Sequence, residues 1–280
     1  MRQDVRTHAH DLNGALGVIL ASADLHVHRN GESEDNRAAF SLIMEAARKA
    51  SGLVEKLAGA ATADEAGMDS AYERDLDYLD RIAGSPDPVL ADLERSGRLE
   101  EIPIVDRETG RLLEVLVAAK SAQRVLELGT AYGYSTVWMA KALAPGARIV
   151  TIDPDRERTQ IAHGFFQRAG VADRIEIRNA PALDVLAELP EKSFDVIFID
   201  ALKEEYSGYL RLAVPLLKMA GMVLVDNLLW GHRASMQPSG SDADSVKAIR
   251  TFNEEFLGHS QLLATIIPVG DGVGVATRIR

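Results

Sequence analysis

The apolar positions of this chain change period along its length. In residues 1 to about 60, Leu12, Leu16, Ile19 and Ala23 recur at three and four residues, as do Phe40, Ile43, Ala47, Ala50, Val54 and Leu57, with the polar break Arg29–Ser33 between the two sets. Two amphipathic helices joined by a short turn form an antiparallel hairpin. A hairpin this small cannot bury its own stripe, so it is expected to pair with a second copy of itself, giving a homodimer. The stretch 58–67, AGAATADEAG, has no apolar period and reads as a linker, with the next domain beginning near residue 63.

Beyond the linker, helical spacing is expected from Tyr72 to Ile82, again through Leu90, Leu93 and Leu99, and from Asp106 to Ala119, with the extended connector Ile102–Val105 before the last of these. The pattern then alternates. Strands are expected at 124–128, 148–152, 174–178, 194–199 and 222–226, and helices at 135–143, 155–169, 181–188 and 206–218. A helix at 244–257 precedes two β-rich runs, 262–267 and 274–279, joined by the turn Val269-Gly270-Asp271-Gly272 as a hairpin. Strand and helix in alternation mean a mostly parallel sheet covered on both faces, with ligands at the carboxyl ends of the strands.

Composition narrows the function classes. The 280 residues are 46% hydrophobic and 26% charged, ordinary for a globular protein. A net charge of −11 argues against a nucleic-acid partner. Cysteine is absent, which excludes disulfides and thiolate chemistry. No apolar run reaches the roughly 20 residues that a spanning helix requires, and no signal peptide opens the chain, so no membrane association and a cytoplasmic location are expected.

Candidate chemistry begins at Arg124–Ser135, RVLELGTAYGYS, a buried strand, a glycine turn and a helix start. Asp153 closes the following strand, placed to accept hydrogen bonds from ribose hydroxyls; that geometry suits both NAD and S-adenosylmethionine. The turn lacks the third glycine of Gly-x-Gly-x-x-Gly, and Glu127 precedes Gly129 by two residues. A carboxylate there would repel a pyrophosphate and attract a cationic methionine moiety. Further on, one buried strand ends in Asp200 and its neighbour in Asp226-Asn227. Three oxygen ligands at adjacent strand ends form an acidic cup for a hard divalent cation, and Lys203 can sit over it.

Two resemblances follow. His8-Ala9-His10-Asp11-Leu12-Asn13-Gly14-Ala15-Leu16, with 46–57 as a second helix, resembles the dimerising hairpin of sensor histidine kinases. There His10 would be the phosphoacceptor, unless the hairpin serves dimerisation alone. No ATP-binding domain follows, so a complete kinase is not expected.

Residues from about 70 to 280 resemble the cation-dependent O-methyltransferases of the catechol and caffeoyl-CoA type. The motifs are Ile102-Pro103-Ile104-Val105 through Gly110, Leu126–Thr130 with Gly133-Tyr134-Ser135, Asp153, Pro181-Ala182-Leu183, Asp200-Ala201-x-Lys203-x-x-Tyr206, Asp226-Asn227-x-x-Trp230 and Pro268–Gly272. The resemblance implies an α/β, Rossmann-like class I methyltransferase over 63–280, a mostly parallel seven-stranded sheet with one antiparallel strand, following the α-helical hairpin of 1–62. It implies that Val105, Glu127, Gly129, Tyr134, Ser135, Asp153, Ala182 and Asp200 line an S-adenosylmethionine site. Asp200, Asp226 and Asn227 would hold Mg2+, Mn2+ or Ca2+, and Lys203, with Asp200, would manage the proton of a small phenolic substrate. Two positions depart from the family: Leu202 stands where an aspartate is usual, and Ala180 where glycine is. A competing reading makes the chain a signalling adaptor, with the methyltransferase domain as its ligand sensor.

Overall fold

The computed structural model describes residues 74–84, 87–231, 233–235 and 243–280. The chain divides into two units, Met1–Ser85 and Pro86–Arg280. Of the first unit, one helix over residues 74–83 is described. The expected hairpin over 1–62, His10, the linker and the boundary at 62/63 lie outside the described residues.

The second unit opens with α1 (Pro88–Leu99), whose start is fixed by proline in the first turn and by Asp87, which accepts a hydrogen bond from the Val89 N–H at 2.8 Å. Helix α2 (Arg107–Ala119) buries Leu113 and Val117 fully. The alternation then runs β1 (Arg124–Leu128), α3 (Tyr134–Lys141), β2 (Arg148–Ile152), α4 (Arg156–Arg168) and β3 (Ile175–Arg178). After these come α5 (Ala182–Glu188), β4 (Phe194–Ile199), α6 (Tyr206–Leu216), β5 (Leu217–Val225), α7 (Ala243–Leu257), β6 (Leu262–Ile267) and β7 (Val273–Arg278).

The seven strands form one sheet in the order β3-β2-β1-β4-β5-β7-β6. Pairs among β1 to β5 are parallel, and β7 runs antiparallel to both β5 and β6. The reversed strand is therefore inside the sheet, and β6 forms the edge. Alternate residues of the central strands enter different cores. Leu126, Leu128, Ile197 and Ile199 pack with Tyr206, Tyr209, Phe252 and Phe256, while Val125, Val196 and Phe198 pack with Leu93, Leu113, Val137 and Phe166. This two-faced burial is why the strands read as continuous apolar runs.

The largest departure from the expected boundaries lies between α6 and β5. Helix α6 ends at Leu216, because Pro215 lies in its last turn. Strand β5 then begins at Leu217 rather than 222, with a register irregularity opposite Phe194–Val196 and Ala220 at φ 57°. The exposed Met219 and Ala220 hid its start from a pattern reading. Chain order reverses between β1 and β4, so their carboxyl ends open a crevice side by side.

Candidate active site

The crevice brings the two halves of the predicted site together. Gly129 adopts φ +96°, and a Cβ there would lie 1.9 Å from the carbonyl oxygen of Asp200. Its N–H donates to Ile152 O at 2.9 Å, and the Asp200 N–H donates to Leu128 O at 2.9 Å. The glycine is thus what allows the turn after β1 to touch the end of β4. Gly133, at φ +85°, N-caps α3 and leaves room for the Phe166 ring, 2.3 Å from where a Cβ would stand.

Glu127 is fully buried in β1. Its carboxylate accepts hydrogen bonds from Ser135 Oγ at 2.6 Å, Thr151 Oγ1 at 2.7 Å and Thr136 Oγ1. Burial pushes its carboxyl up to about 7, against the pull of these three hydroxyls and with a further upward push from Asp200. Glu127 therefore braces the first turn of α3 from within. Asp153, at the end of β2, accepts at Oδ2 from the N–H groups of Thr130 (3.1 Å) and Ala131 (2.9 Å), and at Oδ1 from Asp155 N–H (2.9 Å). It holds the glycine turn against the second strand.

The remaining predicted cofactor residues fall on three segments. Val105 is buried at the end of the connector, and Ala182 is buried in the first turn of α5. Ser135 lies in the first turn of α3, its hydroxyl given to Glu127. Tyr134 differs from its neighbours: its hydroxyl donates to Glu94 Oε1 at 2.6 Å and its ring meets Trp138 edge-on at 6.2 Å. Its side chain is thus committed to the helical layer, which leaves the main chain as the part able to face a ligand. Ala180 is half-buried, and Leu202 is 62% exposed beside the site.

The acidic cup forms where β4 and β5 end. Lys203, in a short 3-10 turn leading into α6, places Nζ 2.8 Å from Asp200 Oδ1, 2.5 Å from Asn227 Oδ1 and 2.9 Å from the Tyr206 hydroxyl. Tyr206 donates in turn to the carbonyl of Asp226 at 3.2 Å. The ammonium also lies 5.1 Å from the Tyr206 ring centroid and 5.9 Å from that of Trp230. Asp226 is buried, its Oδ1 has no hydrogen-bond partner, and burial with the nearby Asp200 charge pushes its carboxyl well above the usual carboxylate range. The cup is two aspartates and an amide. Among the described residues no three His, Cys, Asp or Glu side chains gather as a metal cluster.

Several contributors were not legible in the sequence. Asp271, in the β6–β7 turn, accepts from Asn227 Nδ2 at 3.2 Å and from the Gly231 N–H, and its carbonyl accepts from Leu229 N–H at 2.8 Å. It orients Asn227, whose φ of 63° is left-handed, and the loop that carries Trp230. Thr136, Thr151 and Glu94 carry no motif. The hairpin turn and the hydroxyls were visible as residues, but their roles depend on contacts between distant segments.

No described helix is long and apolar enough to cross a membrane. The family model described as O-methyltransferase matches residues 85–279. The chain is similar to the catechol O-methyltransferase of Mycobacterium tuberculosis, at 38% identity over 193 residues covering 68% of this chain and 86% of that protein. It is 34% identical over 184 residues to the caffeoyl-CoA O-methyltransferase of Eucalyptus gunnii, covering 62% and 73% of the two chains. Among solved structures it superposes on an O-methyltransferase of Streptomyces achromogenes involved in tomaymycin synthesis, in complex with S-adenosylmethionine. The TM-score there is 0.66 at 33% identity, over 72% of this chain and 95% of that one. An O-methyltransferase of Bacillus cereus bound to S-adenosylhomocysteine gives 0.65 at 29% identity, over 72% and 96%. With its Rossmann-like sheet, its glycine turn at the β1–β4 crevice and a family match over most of its length, the chain belongs to the O-methyltransferase family and is an S-adenosylmethionine-dependent enzyme.

Proposed function

We propose that this enzyme methylates one hydroxyl of a catechol-like vicinal dihydroxy aromatic, with a divalent cation, magnesium, manganese or calcium, held by Asp200, Asp226 and Asn227. The observation that carries the reading is the cup itself. Lys203 Nζ is shared between Asp200 and Asn227 beside the unpartnered, buried Oδ1 of Asp226. An orphaned carboxylate oxygen next to a second carboxylate calls for more positive charge than one ammonium, and hard oxygen donors suit a hard cation. The names of the relatives in Mycobacterium tuberculosis and Eucalyptus gunnii support a phenolic acceptor.

When bound, the cation supplies a Lewis acid that lowers the pKa of a phenolic hydroxyl, and the cofactor supplies an electrophilic methyl group. The chain's own residues do the rest. Glu127, through Ser135, and Asp153, through the glycine turn, fix the cofactor's seat, with Val105, Tyr134 and Ala182 along it. The Lys203 ammonium, placed by Tyr206 and Asp200, stabilises the phenolate oxygen as its proton leaves to solvent. Trp230 offers an aromatic face at the acceptor side.

Methyl transfer to catechol, followed with and without excess chelator, tests the reading. Activity should vanish in chelator, return with magnesium and be lost in Asp226→Ala. Full turnover by Asp226→Ala in excess chelator would remove the metal from the mechanism, and turnover of monohydric phenols as efficient as that of catechol would remove the vicinal diol.

A further inference from the structure

We propose that Glu94 is a positioning residue of the cofactor site: its one buried carboxylate locks the segment carrying Val105 to the turn carrying Ser135, and that lock sets the affinity for S-adenosylmethionine. The inference rests on the assignment of Val105 and Ser135 to the cofactor site.

Glu94 lies on α1 and is 8% exposed, between Leu93 and Gly97 on the helix's buried face. Its Oε1 accepts from Arg107 Nε at 3.1 Å and from Tyr134 Oη at 2.6 Å, and its Oε2 accepts from Arg107 Nη2 at 2.6 Å. Arg107 opens α2, two residues after Val105, and Tyr134 opens α3, one residue before Ser135. A single carboxylate thus joins the first residues of two helices that bring different walls to the pocket. The charge is well supported. Burial pushes the Glu94 carboxyl up, but the hydrogen bonds of Arg107 and Tyr134 outweigh it and hold the group below its ordinary value. From Ser135 the hydrogen bonding continues inward to Glu127 and Thr151.

Helix α1 has other anchors. Leu90 and Leu93 are buried, Lys141 pairs with Asp87 at 2.6 Å, and Arg168 pairs with Asp92. The Tyr132 hydroxyl also donates to Glu100, at the carboxyl end of the same helix. Apolar packing and these outer contacts can hold the helix without Glu94. What the carboxylate adds is register between Val105 and Ser135, and register matters to a bound cofactor more than to the folded chain.

Calorimetric titration of S-adenosylhomocysteine, together with the KM for S-adenosylmethionine and kcat, separates positioning from folding. Glu94→Gln should weaken both cofactor affinities about tenfold while kcat at saturating cofactor stays within about twofold. Tyr134→Phe, which removes one oxygen, should shift the same constants in the same direction by a smaller factor, and it keeps the test alive if Glu94→Gln does not fold. The double variant should lose no more than Glu94→Gln alone, because one interaction is being removed twice. Folded single variants with wild-type affinity, or a fall in kcat with KM unchanged, would overturn the proposal. Ser135→Ala distinguishes the two ways of failing. If it weakens binding while Glu94→Gln does not, the lock alone falls; if it too binds normally, the site assignment falls and takes the lock with it.

Discussion

Replacing Glu127 by glutamine exchanges a buried carboxylate for an amide of nearly the same shape, with oxygen still able to accept from Ser135, Thr136 or Thr151. Burial raises the carboxyl from 4.5 to about 7, a displacement worth about 3 kcal/mol at roughly 1.4 kcal/mol per pH unit. The sign follows from the direction. A carboxyl whose folded pKa lies above its unfolded value favours the folded state fully below pH about 4.5, and that contribution is lost as pH rises to about 7. Without cofactor, the wild-type enzyme should therefore lose about 2 kcal/mol from this group between pH 5.5 and 8.5, and Glu127→Gln should not. Urea midpoints followed by tryptophan fluorescence at the two pH values measure it; every other titrating group is shared, so the difference between the two proteins isolates residue 127. The variant's midpoint at pH 8.5 should exceed that of the wild type, while the proposed cofactor seat predicts that its affinity for S-adenosylhomocysteine falls with the loss of a negative charge behind Ser135. A variant equally destabilised at both pH values would refute the reasoning: it would mean that Glu127 is stabilised in its charged form by the three hydroxyls more than it is penalised by burial.

Gly129→Ala places a methyl group 1.9 Å from Asp200 O at φ +96°, and should cost at least about 2 kcal/mol in thermal unfolding along with measurable cofactor binding; a normally stable, cofactor-binding variant would show that the turn and β4 can separate. Asp271→Ala frees Asn227 and the Gly231 N–H, and on the proposed metal site should raise the magnesium concentration for half-maximal rate about tenfold with the fold intact; an unchanged magnesium curve would remove Asp271 from that proposed site. Asp195 accepts from the N–H groups of Gln123 and Arg124, both at 3.0 Å, and pairs with Lys218. Burial raises its carboxyl, but these partners outweigh it and leave it below its ordinary value, so its contribution is present above pH about 4 and lost as pH falls. Asp195→Ala should cost about 1–2 kcal/mol at pH 7 and much less at pH 3, read from urea midpoints at each pH.

What the sequence by itself determined is local. Periods of two and of about three and a half residues placed β1, β2 and β4 to the residue, since buried parallel strands are short apolar runs with polar punctuation. The glycine turn and the strand-end acids could be read because each depends on its own few neighbours and on lying at a carboxyl end. Tertiary structure decided the rest. Pro215 and the irregular start of β5 shift the boundary after α6, since an exposed strand end carries no apolar signal. Tyr134 belongs to a glycine-turn motif, yet its hydroxyl turns to Glu94, forty positions away in the chain. Glu127 looks like a free carboxylate in the sequence and is in fact wrapped by three hydroxyls. Asp271 reads as a turn former and acts on Asn227 through the insertion of β7 beside β5. Hydrogen bonds between distant segments leave no period in a sequence, because their geometry is set by strand order and helix packing rather than by neighbouring residues.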